Sequence, residues 1–316
     1  MVGVGQGGAR RWVMAGVLAV VVAGIGFGSV EPAAPDGHAG PAVPGLITQS
    51  AEAGVPIRIA YGREADTFGD LYLPAGGPLS GSSGRCQVVV LIHGGGWAQY
   101  RDLTQFAAQA RQLAESGVAV WNIEYRRVNG AGGWPVTLTD VDDAVGALAT
   151  VVQQRAGGRL DLDNVHLAGH SAGGQLAAWV AGRRTDGAAA SRGLHIRSVT
   201  LMAAVLDLDY AVAHGNDGFA RKLLGGLPDE VPDRYRYASP IVNLPRGVHI
   251  TAVHGDADRV VPVEQSRRYA EAARRAGDPT DLHVLPGVGH AEFTDPGSAA
   301  WAVARVAILA SIAESA

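Results

Sequence analysis

Ser171 stands in the run Gly169-His170-Ser171-Ala172-Gly173. The pattern G-x-S-x-G places a serine on a sharp turn between a strand and a helix, with its hydroxyl clear of the backbone. A Cβ at position 169 or 173 would collide with the neighbouring strand or helix. The flanks suit such a turn: residues 165–168 read as a strand and residues 172–181 have helical composition. A serine hydroxyl becomes a nucleophile only beside a base that is itself held by a third group. Two carboxylates, Asp256 and Asp258, follow the apolar run ending at Val253, and residues 282–285 lead through Pro286-Gly287-Val288-Gly289 to His290. The order serine, acid, histidine, each after a strand, is one of the orders in which acyl-transfer triads occur. Acyl transfer also needs donors for a tetrahedral oxyanion. His93-Gly94-Gly95-Gly96-Trp97 offers a loop whose glycines let the backbone approach a substrate and aim N–H groups at developing charge.

The remaining histidines read differently. His38 falls in linker sequence, and His166, His195, His249 and His283 lie in or beside strands as structural or exposed residues. His214 reads as a surface residue, His254 as a brace for the acid loop, and His170 as a pocket-lining neighbour of the serine. None is spaced with carboxylates as metal ligands are, so neither a catalytic metal nor another cofactor is expected. Trp97, Tyr125 and Trp134 suit either an acyl or aromatic pocket or the core, and Trp97 is assigned to the pocket as a substrate-binding residue.

These groups must be carried by a regular scaffold. Runs at 57–60 and 68–73 read as an antiparallel strand pair. Strand-like runs follow at 88–92, 118–123, 165–168, 199–203, 250–253 and 282–285. Between them lie helical patterns at 104–115, from Thr139 or Asp140 to 154, at 172–181, 264–276 and 297–312. Alternation of this kind implies a doubly wound, mostly parallel sheet of about eight strands in an α/β fold. Residues 207–245 break the rhythm with Pro228, Pro232, Pro240 and Pro245 and one helical piece near 219–224. They are too long for an ordinary connection and read as a small insertion after the sixth strand, lying over the strand ends.

The motifs "LIHGGGW", "NIEYRR", "GGWP", "LAGHSAGG", "ASPI", "HGDADRVVP" and "PGVGH" together resemble the esterase and peptidase-like branch of the α/β-hydrolases. They are similar to the hormone-sensitive-lipase type, to bacterial feruloyl-esterase-like domains and to the prolyl-oligopeptidase-like catalytic domain. The resemblance spans about residues 55 to 312 and implies the α/β-hydrolase fold. It selects Asp258 over Asp256 as the acid, because H-G-x-x-D-x-x-V-P places the acid there, and leaves Asp256 to shape the turn. It implies Gly95, Gly96 and Ala172 as oxyanion donors, and His93 as a residue that ties the loop together. The expected activity is hydrolysis of a small-molecule carboxylic ester through Ser171, Asp258 and His290. An amide hydrolase such as an arylformamidase is the alternative. A peptidase is less expected, since the propeller domain of such peptidases has no counterpart here.

Bulk properties agree with a globular enzyme. Apolar residues make up 47% and charged residues 18% of the 316. A formal charge of −4 without like-charge blocks gives no reason to expect a nucleic-acid partner. Cys86 is the only cysteine, which excludes an intramolecular disulfide. Arg10 and Arg11 precede an uncharged run over 12–30 and a Pro/Gly-rich stretch over 31–45. That pattern reads as a signal peptide, or an anchor if uncleaved, followed by a linker. Export to the cell envelope or beyond is therefore expected, with membrane contact only if the segment is retained. Residues 46–316 are then the hydrolase domain.

Overall fold

The computed structural model describes residues 54–75, 85–185, 193–215 and 218–315. The export segment, the linker and the domain boundary at 46 lie outside them. Eight strands form one sheet: β1 (Ile57–Ala60), β2 (Phe68–Tyr72), β3 (Cys86–Ile92), β4 (Ala119–Ile123), β5 (Leu160–His170), β6 (Ile196–Met202), β7 (His249–Gly255) and β8 (Thr280–Leu285). Their spatial order is β1-β2-β4-β3-β5-β6-β7-β8. The pairs β1–β2 and β2–β4 are antiparallel, and every other neighbouring pair is parallel.

Strand β3 shows why its apolar run is continuous. Val88, Val90 and Ile92 enter one core, and Val89 and Leu91 enter the other. A strand buried on both faces has no use for polar alternation. The second core is closed by α1 (Ala107–Glu115) and α9 (Ala299–Glu314) through Ala110, Leu113, Trp301, Ala304 and Ile308. The first is closed by α2 (Val136–Gly146), α3 (Val151–Arg155), α4 (Ala172–Thr185) and α8 (Glu264–Ala276), with Leu138, Val141, Val152, Leu176 and Tyr269 among the contacts.

Four details differ from the sequence reading. The helix expected from Thr139 or Asp140 starts at Val136, after Pro135. Asp140 is not its cap but is buried, accepting from the main chain and guanidinium of Arg126. The same stretch breaks at Thr150, between a 3-10 turn over Ala147–Ala149 and α3. Strand β5 begins at Leu160, since Leu160 and Asp161 still pair with Cys86 and Gln87, across a register irregularity. The insertion holds three short helices instead of one, α5 (Leu208–His214), α6 (Gly218–Leu224) and α7 (Pro232–Ala238). Asp207 caps α5 through Tyr210 N, and Pro232 starts α7 at a position where a missing N–H costs nothing.

Candidate active site

Ser171 is the single residue between β5 and α4, and its φ of +55° is left-handed. A non-glycine residue there carries strain of roughly 1–2 kcal/mol. The turn is held by Ser171 N donating to Met202 O on β6 at 2.9 Å, and by Gln175 N donating to Ser171 O at 3.1 Å. Its sharpness brings α4 against β3. A Cβ at Gly173 would overlap the carbonyl oxygens of Ile92 and His93, and one at Gly169 would overlap the carbonyl of Gly173.

The acid and base arrive from β7 and β8. Their loops touch at Gly255, where a Cβ would overlap Val288 O, and Ala257 N donates to that same oxygen at 3.1 Å. Asp258 Oδ1 accepts from Val260 N and Val261 N, both at 2.8 Å. Asp258 Oδ2 lies 2.8 Å from His290 Nδ1 and 3.2 Å from His254 Nε2. His290 Nε2 lies 2.9 Å from Ser171 Oγ. With Nδ1–H donating to the carboxylate, the other ring nitrogen is free to accept the serine proton. Burial alone would raise the Asp258 pKa. Hydrogen bonds from His254, His290 and Val261, with the charge of His290, outweigh it and hold the carboxyl well below the usual range. It therefore stays ionised. Asp256, two residues away, only accepts from Gly287 N at 2.7 Å and shapes the turn. His254 is fully buried, its Nδ1 2.8 Å from Ser266 Oγ.

The glycine loop after β3 is tied down from below. His93 Nδ1 lies 2.8 Å from Gly94 O, and Tyr125 stacks on the ring at 4.4 Å while its hydroxyl donates to His93 O. His93 Nε2 lies 2.9 Å from Glu124, a buried carboxylate that also accepts from Leu103 N, Tyr125 N and the Arg127 guanidinium. Gly95 and Gly96 have φ of +108° and +62°, a path that only glycine follows without strain. Gly95, Gly96 and Ala172 border the same cavity as Ser171. Ala172 opens α4, so its N–H has no acceptor within the helix.

That cavity, about 210 Å³, has apolar walls from Val205, Ala211, Phe219, Ala220 and Val261, and exposed Tyr100 and Arg101 also line it. His170 borders it too; its ring is buried, with Nε2 3.0 Å from His290 O and the two imidazoles 4.6 Å apart. Burial, with the charge of His290, lowers the His170 pKa to about 3, so it is neutral at ordinary pH. Trp97 borders the cavity while its indole N–H is committed to Gln175 Oε1 at 2.9 Å. Tyr125 packs in the core, and Trp134 packs edge-on against Tyr237 at 5.2 Å. Neither lines the cavity. Among the described residues no group of three or more His, Cys, Asp or Glu is placed to hold a metal ion.

Residues 70–272, more than half of the chain, match the family described as BD-FAE. The chain belongs to the BD-FAE family. This BD-FAE protein is 31% identical over 215 residues to Esterase LipC of Mycobacterium tuberculosis, covering 64% of the chain and 52% of the relative. The chain thus spans about half the length of that curated relative. It is 28% identical over 244 residues to the Monoacylglycerol lipase of Mycolicibacterium smegmatis, covering 66% of the chain and 82% of the relative. A truncated carbohydrate esterase from gut microbiota superposes with a TM-score of 0.68 at 22% identity, covering 83% of this chain and 99% of that one. Likeness at that identity concerns the fold, which is that of the α/β-hydrolases.

The BD-FAE site also uses residues that motif reading passed over. Glu124 and Arg127 lie within the quoted "NIEYRR" run, and a carboxylate at the end of an apolar strand was the available signal. Gln105, whose Oε1 accepts from Gly94 N, and Phe219, which rests on Gly96, gave none. Phe219 reaches the loop from distant sequence, and Gln105 from the 3-10 turn that follows it.

Proposed function

We propose that this protein is a serine hydrolase that cleaves carboxylic esters through an acyl-enzyme. The observation that carries the reading is the continuous chain from Ser171 Oγ through His290 to the ionised Asp258, open to an apolar cavity. His290 takes the hydroxyl proton as Ser171 attacks the carbonyl carbon, and Asp258 holds the imidazole and stabilises its charged form. The oxyanion lies against the N–H groups of Gly95, Gly96 and Ala172, and loss of one such donor costs about 3 kcal/mol of transition-state stabilisation. Collapse expels the alcohol with the proton from His290. Water, activated by the same imidazole, then frees the acid. Neutral His170 beside His290 adds no competing positive charge. The names of the two mycobacterial relatives agree with an ester substrate.

The test is hydrolysis of p-nitrophenyl esters from acetate to palmitate, with Ser171→Ala as control. The wild type hydrolyses the short members, and the variant loses at least about 10⁴-fold. A folded protein inactive on every ester but active on a formanilide would overturn the ester reading in favour of an amide hydrolase. We also propose export, supported by Arg10, Arg11 and the uncharged run over 12–30. Full-length protein recovered only in the cytoplasmic fraction would contradict it.

A further inference from the structure

Among the described residues, Arg101 is the only side chain of the cavity lining, apart from the histidines, that carries charge at neutral pH. Among the described residues no carboxylate lines it, and Asp258 lies behind His290. Among the described residues the only side-chain interaction of Arg101 is a loose approach to the Tyr100 ring, 5.6 Å from Cζ to centroid. The adjacent Asp102 is occupied instead by Thr104, through its N–H and its hydroxyl.

The root of Arg101 is nevertheless fixed. Its carbonyl accepts from Arg127, whose guanidinium is buried between Glu124 at 3.0 Å and Asp66 at 3.2 Å. Its N–H donates to Ala98 O, and its Cβ and Cγ occupy the space that a side chain on Gly95 would need. The buried network that holds the glycine loop thus also holds Arg101 beside it. Other polar groups of the lining are largely spent inside the protein. Gln265 serves Leu206 N, Asp207 N and Asp207 O, Thr294 donates to Ala291 O, and Trp97 donates to Gln175. The cleft therefore combines apolar walls, three of them (Ala211, Phe219 and Ala220) from the insertion, with an exposed tyrosine and a cation that has no ion-pair partner among the described residues.

We propose that Arg101 selects esters that carry a carboxylate, which it binds through charge-assisted and potentially two-pronged hydrogen bonds. This rests on the ester-hydrolase reading above. The carboxylate can sit on the acyl part, as in a hemiester of a dicarboxylic acid, or on the leaving alcohol.

The experiment compares kcat/KM for matched pairs. 4-Acetoxybenzoate against 4-acetoxybenzamide tests the leaving side, and p-nitrophenyl hydrogen glutarate against p-nitrophenyl pentanoate tests the acyl side. In at least one pair Arg101→Gln lowers the anionic-to-neutral ratio by about tenfold, chiefly through KM, and Arg101→Lys retains part of it. The preference of the wild type falls between 0.05 and 0.5 M salt, whereas that of Arg101→Gln does not. Circular dichroism checks that the variants fold, and Arg101→Met serves if Arg101→Gln does not. Ratios unchanged by the substitution in both pairs would overturn the proposal while neutral-ester hydrolysis, lost in Ser171→Ala, still upheld the parent reading. Wild-type protein inactive on all four compounds would overturn both.

Discussion

Two aspartates two residues apart on one loop have different surroundings. Asp258 collects two main-chain donors and two histidines, whereas Asp256 accepts from one glycine N–H. Asp258→Asn is therefore expected to lower kcat on a p-nitrophenyl ester by about 10⁴-fold with KM little changed, since the amide favours the wrong imidazole tautomer. Asp256→Asn is expected to cost less than about tenfold, because it touches the turn and not the imidazole. Equal losses in steady-state kinetics would show that the acid has been misassigned. Strain gives a second expectation. Ser171 holds φ +55°, which glycine tolerates, so Ser171→Gly should abolish turnover yet raise unfolding stability by about 1 kcal/mol in urea titration. At this scale the motifs named the serine, acid and histidine that the fold brings within hydrogen-bond distance. They could not name Gln105 or Phe219, whose contacts with the glycine loop depend on how the chain packs back on it.

Among elements, the approach of α4 to β3 fixes where the serine stands. Gly173→Ala puts a methyl group against the carbonyl oxygens of Ile92 and His93, backbone that cannot move without parting the strand pair. A loss of about 3 kcal/mol or more is expected in denaturant unfolding, and a change below 1 kcal/mol would mean the helix can tilt away. The insertion supplies the apolar wall. Phe219 rests on Gly96, so Phe219→Ala should enlarge the cavity and move the preferred acyl chain towards longer members of the p-nitrophenyl series. All eight strands were legible: β3 and β4, buried on both faces, as nearly unbroken apolar runs, and the edge strands β1 and β8 as short apolar-rich stretches between turn sequences. Their ends were less so. Residues 160–164 extend β5 only because a partner strand accepts Leu160 and Asp161. The insertion's helices are seven residues each, too short for a periodic signal.

For the whole molecule, pH should act through buried imidazoles. Burial, with the charge of Arg197, lowers His166 to about 4, and burial with His290 lowers His170 to about 3. An unfolded histidine titrates near 6.5. Below that pH the unfolded chain takes up protons that the folded chain refuses, so stability falls with pH down to the folded values. Each histidine contributes a slope of up to about 1.4 kcal/mol per pH unit. Asp258, held below its ordinary value, adds a loss in the same direction at still lower pH. Urea unfolding between pH 7 and pH 4.5 should show this decline, and His166→Gln should flatten it by about one proton. His166 sits between Ser198 and Gln87, away from the catalytic candidates, so its substitution isolates the linkage. An unchanged slope would refute that origin.

The central claim is that Ser171 becomes acylated with the help of His290. A fluorophosphonate reacts with an activated serine and not with ordinary hydroxyls, so intact-mass and peptide mass spectrometry of the treated protein test it directly. One adduct per chain on the peptide containing Ser171, absent from Ser171→Ala and strongly slowed in His290→Ala, is the result expected. A label on another residue, or ester hydrolysis that survives Ser171→Ala, would contradict it.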